Sequence, residues 1–173
     1  MVRSALAGTR RINQGPRLGA AFIPALSVVI ASFLSALPII STSGWWPDFG
    51  FLVLIAWRLL RSDPWPAWWA APLGLMNDLL TGAPIGMSVA LWTLVMLAME
   101  LVDRRTMWRD YWIEWALAGL LILAAESAEW WLASLSGAAF PYALIIPPFL
   151  ISAFAFPIAA WLVWRLDHWR LGR

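Results

Sequence analysis

The chain has 173 residues, of which 62% are hydrophobic and 13% charged, with 15 Trp, a single His, no Cys and a formal net charge of +2. Such a composition exceeds what a soluble domain of this length needs for its core and points to a membrane protein, while the missing Cys excludes disulfides, thiolate metal sites and Cys nucleophiles. So small a net charge gives no case for a nucleic-acid partner, and no cofactor is expected.

A helix crossing a bilayer takes about 17–25 mostly apolar residues, and counted against that length the apolar runs give six spans, two of them short. The first spans about 18–40, after an Arg-rich tail at 1–17 that lacks the small-residue cleavage pattern of a signal peptide and is expected to be retained. Small residues recur along this span at Ala21, Ala25, Ser27, Ala31 and Ser35, with Ser32 and Ala36 alongside. That spacing lets backbones approach, so the face is a candidate for packing against another helix, with Pro24 adding a kink. The second and third spans, about 46–60 and 65–80, are short and interrupted by Pro64, Pro66 and Pro72. The fourth, fifth and sixth run about 84–101, 112–135 and 143–165. The expected organisation is thus a cytoplasmic tail at 1–17, one transmembrane domain at 18–166 and a cytoplasmic C-terminal tail at 167–173.

Arginine placement sets the orientation, since Arg in short loops is kept on the cytoplasmic side. Arg3, Arg10, Arg11 and Arg17, then Arg58 and Arg61, then Arg104, Arg105 and Arg109, then Arg165, Arg170 and Arg173 fall in alternate segments. The connections near 41–47, 81–86 and 136–142 hold none, so both termini are expected in the cytoplasm. Indoles favour the membrane interface, which assigns Trp45, Trp46, Trp130 and Trp131 to an outer belt and most others, Trp57 among them, to an inner one; only Trp92 falls mid-span.

Ionisable groups inside spans are the candidate functional residues. Asp78 lies at the outer end of the third helix, where the dipole disfavours an anion by about 0.3–1 kcal/mol. The turn that follows, Thr81-Gly82-Ala83-Pro84, leads into a helix start whose backbone N–H groups lack partners. Asp78, helped by Asn77, is therefore expected to staple this hairpin, with Pro84 near the first helical position and Gly74 and Gly86 permitting close approach. Glu126 and Glu129 share one face of the fifth helix, beside Ser127. An ionised carboxylate at the bilayer centre costs on the order of 2.5–3.5 kcal/mol, so Glu126 should face a partner helix, a polar pocket or a satisfying group in the bundle, whereas Glu129 is level with the outer Trp belt. His168 is expected to be solvated. No Ser has a His or Lys in plausible reach, and no acid–base pair flanks a substrate site, so an enzyme is not expected.

The run Trp46-Pro47-Asp48 leading into an apolar span that ends near Trp57, followed by Gly74-x-x-x-Asp78-Leu79-Leu80-x-Gly82-x-Pro84-x-Gly86, resembles the rod shape-determining protein MreD family over about 45–101. The resemblance implies that Pro47, Asp48, Gly74, Asp78, Gly82, Pro84 and Gly86 form the family's motif, and that the fold is similar to the S-components of energy-coupling factor transporters. It further implies a multi-pass subunit of the bacterial inner membrane, without catalytic residues, that binds an MreC-like bitopic protein. The MreB filament, RodA and a class B penicillin-binding transpeptidase would belong to the same cell-wall elongation assembly. A second reading stays open: a small-molecule-binding, S-component-like transporter subunit with Glu126, Glu129, Trp130 and Asp78 lining an outward pocket. No GxxxxGK[ST] motif is present to couple ATP.

Overall fold

The computed structural model describes residues 22–37, 46–61, 66–103, 110–135, 137 and 140–171. Among these residues the chain is all-α, with six helices and no strand: α1 (Ile23–Ser35), α2 (Phe49–Leu60), α3 (Ala70–Thr81), α4 (Met87–Asp103), α5 (Tyr111–Leu135) and α6 (Ile146–Leu171). Single 3-10 turns, Ala67–Trp69 and Tyr142–Ile145, lead into α3 and α6. Two stretches, Tyr111–Leu135 and Tyr142–Leu171, are long and apolar enough to cross a membrane, with mean hydropathy 1.4 and 2.1. The helices α1 and α2, and Met87–Leu101 within α4, are apolar but shorter. Eight of the twelve arginines, Ala21, and the expected tail at 1–17 lie outside the described residues.

The central element is α2, whose residues from Phe51 to Leu59 are buried except Val53. Helix α2 packs on α1, α6 and α4, while α3 pairs with α4 and α1, and α5 with α6. Leu52, Leu54 and Ile55 of α2 meet Val28 of α1, Trp92 and Met96 of α4, Ile122 of α5 and Val163 of α6 in one core cluster. Phe51 stacks on Trp92 with ring centroids 6.2 Å apart, which joins the first turn of α2 to α4.

The small-residue face of α1 packs against other helices, and these are the internal neighbours α2 and α3: Ser32 and Ser35 are buried, Ala25 packs on the core, and Ser27 Oγ accepts a 2.8 Å hydrogen bond from Trp57 Nε1. The outward face of α1 instead carries Phe22, Leu26, Ile30 and Phe33. Trp57 is accordingly a core residue at 1% exposure and not part of an interfacial belt. Pro24 sits in the first turn of α1, where its missing N–H costs nothing, so it starts the helix and does not kink it. A proline does occur within α6, at Pro157.

Residues 167–171 of the expected C-terminal tail belong to α6, which continues to Leu171 and buries Asp167 and Arg170. Asp167 accepts from Arg61 Nε at 2.9 Å and from Arg170 Nη2 at 2.7 Å, tying the end of α2 to the end of α6. Arg170 also lies over the Trp57 ring, 5.3 Å from its centroid. His168 is half-buried, with Nδ1 2.9 Å from the Trp164 carbonyl, and is not simply solvated. The described arginines, Arg58, Arg61, Arg165 and Arg170, all belong to this one end of the bundle, hereafter the arginine end.

Candidate functional site: a polar corner and an acid-lined cavity

At the opposite end, α3 stops and α4 starts around a tight corner. Gly82 closes α3 in the left-handed region at φ 71°, its N–H bonded to the Asp78 carbonyl at 3.0 Å. Gly86, at φ 98°, precedes α4. Asp78 is 1% exposed, and its carboxylate spans the corner: Oδ2 accepts from the Gly86 N–H at 2.8 Å and Oδ1 from the Ser88 N–H at 2.9 Å. These donors belong to the first turn of α4 and the residue before it, where no intrahelical acceptor exists. A buried carboxylate on two backbone N–H groups is satisfied at the positive end of a helix, which offsets its awkward position at the C-terminal end of α3.

Asn77, one residue earlier on α3, links the corner to α2. Its Nδ2 donates to Ser88 Oγ at 3.1 Å and to Asp48 Oδ2 at 3.0 Å. Asp48 is the N-cap of α2, with Oδ1 accepting from the Phe51 N–H at 3.2 Å. Ser35, at the end of α1, accepts from the Phe49 N–H at 2.9 Å. Four helix ends are thus fixed by one set of side chains, Ser35, Asp48, Asn77 and Asp78.

The glycines divide by role. A Cβ on Gly74 would meet the Ser88 carbonyl and the Val89 nitrogen at 2.7 Å, so this residue is what allows α3 and α4 to touch. A Cβ on Gly50, within the first turn of α2, would run into Ser32 Oγ. Gly86 does not serve close approach, because open space surrounds the position of its Cβ; its positive φ is the requirement. Pro84 lies in the turn three residues before α4 begins, with its carbonyl accepting from the Met87 N–H at 3.0 Å, and so is not the first helical residue. Pro47 is buried immediately before the Asp48 cap.

Beside the corner is a cavity of about 340 Å³ with residues of all six helices on its wall. Asp48, Asn77 and Ser88 reach it from the corner, and Glu126 and Glu129 from α5. The carboxylates that look unrelated in sequence therefore share one space. A second cavity of about 260 Å³ shares Met87, Glu126, Glu129 and Pro148 with the first and is otherwise walled by Trp130, Ala133, Phe140, Leu144 and Ile145. Trp130 is fixed there by a 2.8 Å bond from Nε1 to the Phe140 carbonyl and an edge contact with Tyr142, whose hydroxyl is 3.0 Å from Ser127 Oγ. Asp78 does not line either cavity; both its oxygens serve the corner.

Sequence reasoning finds Asp78, Asn77, Gly74, Gly82 and Gly86, but misses Ser88, Gly50, the bond that Ser35 accepts from the Phe49 N–H, and the convergence of Asp48 with Glu126 and Glu129. Ser88 has a local signal, since a hydroxyl in a helix's first turn is a ready partner for a side chain that reaches that turn. The 29-residue link from Asn77 to Asp48 has none. Among the described residues no group of three or more His, Cys, Asp or Glu is placed to hold a metal ion. Comparisons with protein-family models, with curated proteins and with solved structures found no match for this chain.

Proposed function

We propose that the chain is a non-enzymatic, multi-pass scaffold of the bacterial inner membrane. In this reading it belongs to the MreD family and holds an MreC-like bitopic partner that positions the peptidoglycan synthases of cell-wall elongation. The observation that carries the reading is the use of the motif side chains. Asp78 spends both oxygens on backbone N–H groups, Asp48 spends one on the Phe51 N–H and the other on the Asn77 amide, and Gly74, Gly82 and Gly86 serve approach and turn geometry. Such a motif builds a rigid corner for another chain to meet and leaves no nucleophile or base for a reaction.

Embedding in lipid is supported by what the helices leave uncovered. Only 22% and 28% of the apolar windows in α5 and α6 are buried, far less than a helix in a soluble core, and Phe154, Ile158 and Trp161 run along one exposed face of α6. Six crossings place the Asp78 corner in the periplasmic half and the arginine end at the cytoplasm, in keeping with retention of Arg on that side. The second reading, a small-molecule-binding transporter subunit, is favoured by one observation, the cavity with Asp48, Glu126 and Glu129 on its wall.

Affinity purification of the tagged protein from its native membrane in mild detergent, followed by mass spectrometry, separates the two. Recovery of an MreC-like bitopic protein with cell-wall synthases is the expected result. Recovery of ATPase subunits with an integral coupling protein would replace the scaffold with the transporter reading.

A further inference from the structure

Pro157 stands inside α6 and has no N–H to give the carbonyl four residues earlier, that of Ala153. Trp115 of α5 supplies a donor in its place: Nε1 bonds to the Ala153 carbonyl at 2.9 Å. A carbonyl freed by proline in a helix facing lipid needs such a substitute, because lipid offers none. Here the substitute comes from a neighbouring helix, so the bond that repairs α6 also holds α5 to it.

The proline divides α6 between two neighbours. Before it, α6 and its lead-in turn belong with α5: Ala153 takes the Trp115 bond, Tyr142 meets Ser127, and the Phe140 carbonyl accepts from Trp130. After it, α6 is tied to α2, through Asp167 to Arg61 and through Arg170 over the Trp57 ring. Helix α5 itself packs on α6 far more than on α4. The larger cavity lies along this division, with Pro148 and Ser152 from the first part of α6 and Glu126 and Glu129 from α5 on its wall, beside Asp48 and Asn77 of the corner. Open space between two sets of helices leaves fewer contacts to break when one moves against the other.

We propose that Pro157 is a hinge and that the bond from Trp115 to Ala153 is its latch. The moving arm is α5 with residues 140–156, and the fixed body is α1 to α4 with residues 158–171. The unaltered chain exchanges between a latched and a released arm, and release widens the cavity by carrying Glu126 and Glu129 away from Asp48. Breaking the latch leaves the Ala153 carbonyl without its donor, so the latched state is the favoured one. The inference rests on the helix packing and not on the scaffold reading, so partner capture does not bear on it.

The test measures distances by electron paramagnetic resonance between spin labels on introduced cysteines, in the full chain reconstituted in phosphatidylcholine nanodiscs. The chain has no Cys, and Leu132→Cys on α5 with Leu79→Cys on α3 puts exposed labels on arm and body. Leu79→Cys with Trp169→Cys, both in the body, is the reference pair. Trp115→Phe keeps a ring but removes the donor; it should shift the arm-to-body distribution to longer distance and leave the reference pair unchanged. Pro157→Ala returns an N–H to the hinge and should narrow the arm-to-body distribution. With both substitutions the effect of Trp115→Phe should be lost, because Ala153 then has a donor inside α6. The proposal is overturned by an arm distance that Trp115→Phe leaves unchanged, by an equal change in the reference pair, or by an effect of Trp115→Phe that persists in full beside Pro157→Ala. Should Trp115→Phe fail to fold, Pro157→Ala alone decides, since a distribution no narrower than that of the unaltered chain also overturns the hinge.

Discussion

Asp78 shows how one carboxylate can be structural at an end of a helix where electrostatics argues against it. Its two bonds to Gly86 and Ser88 are to backbone donors that nothing else in the corner serves. Asp78→Ala should destabilise the protein by about 2–4 kcal/mol, since charge-assisted bonds are worth about 1.5–3 kcal/mol each and the losses are not additive. A thermal-stability series in detergent checks the value. Asp48→Ala removes an N-cap and should cost less, about 0.5–2 kcal/mol. At the arginine end the pair on Asp167 is unequal: Arg61 is 39% exposed at its side chain and Arg170 only 8%. Asp167→Ala therefore leaves a buried guanidinium without its carboxylate and should cost about 3–5 kcal/mol, whereas Arg61→Ala should cost about 1 kcal/mol or less. Asp78 was legible because its partners lie within ten residues; the tie from Asp167 to Arg61 was not, because the two are 106 positions apart.

For the elements, the α3–α4 hairpin is the best specified. Gly74→Ala places a methyl against the backbone of Ser88 and Val89, which cannot rotate away, so the two helices must separate at a cost of about 1–3 kcal/mol. Gly50→Ala meets a serine hydroxyl, which can turn aside, and should cost less. Gly82→Ala tests something different, backbone handedness with no steric contact, at about 1–2 kcal/mol. Measuring the three together distinguishes packing from backbone strain. The positions of all six helices were legible from apolar runs and prolines, although only Tyr111–Leu135 and Tyr142–Leu171 are long and apolar enough to cross a membrane. Their facing was harder to read. Small residues on α1 are compatible with an external partner or an internal neighbour, and the choice fell to Trp57, whose indole finds its acceptor at Ser27. Ends also moved: α6 runs past the expected boundary because Asp167 and Arg170 are satisfied within the bundle.

The whole molecule is polarised. One end carries the glycine-rich corner and the acidic cavity; the other carries the described arginines around Asp167. A pocket at Glu126, Glu129 and Trp130 was legible in sequence, but the place of Asp48 in it was not, because a carboxylate on α5 and one at the cap of α2 cannot be set side by side from periodicity. The central claim is the orientation that the arginines imply, with the corner in the periplasm and the arginine end in the cytoplasm. The chain has no Cys, which allows single cysteines to be introduced at exposed positions, Ile85→Cys and Tyr142→Cys at the corner end and Tyr111→Cys and Trp169→Cys at the arginine end. Labelling with a membrane-impermeant maleimide in intact spheroplasts should modify the first two and should reach the last two only after the membrane is opened. Equal labelling of all four before the membrane is opened, or labelling of the arginine end first, would contradict a six-crossing bundle with its corner facing the periplasm.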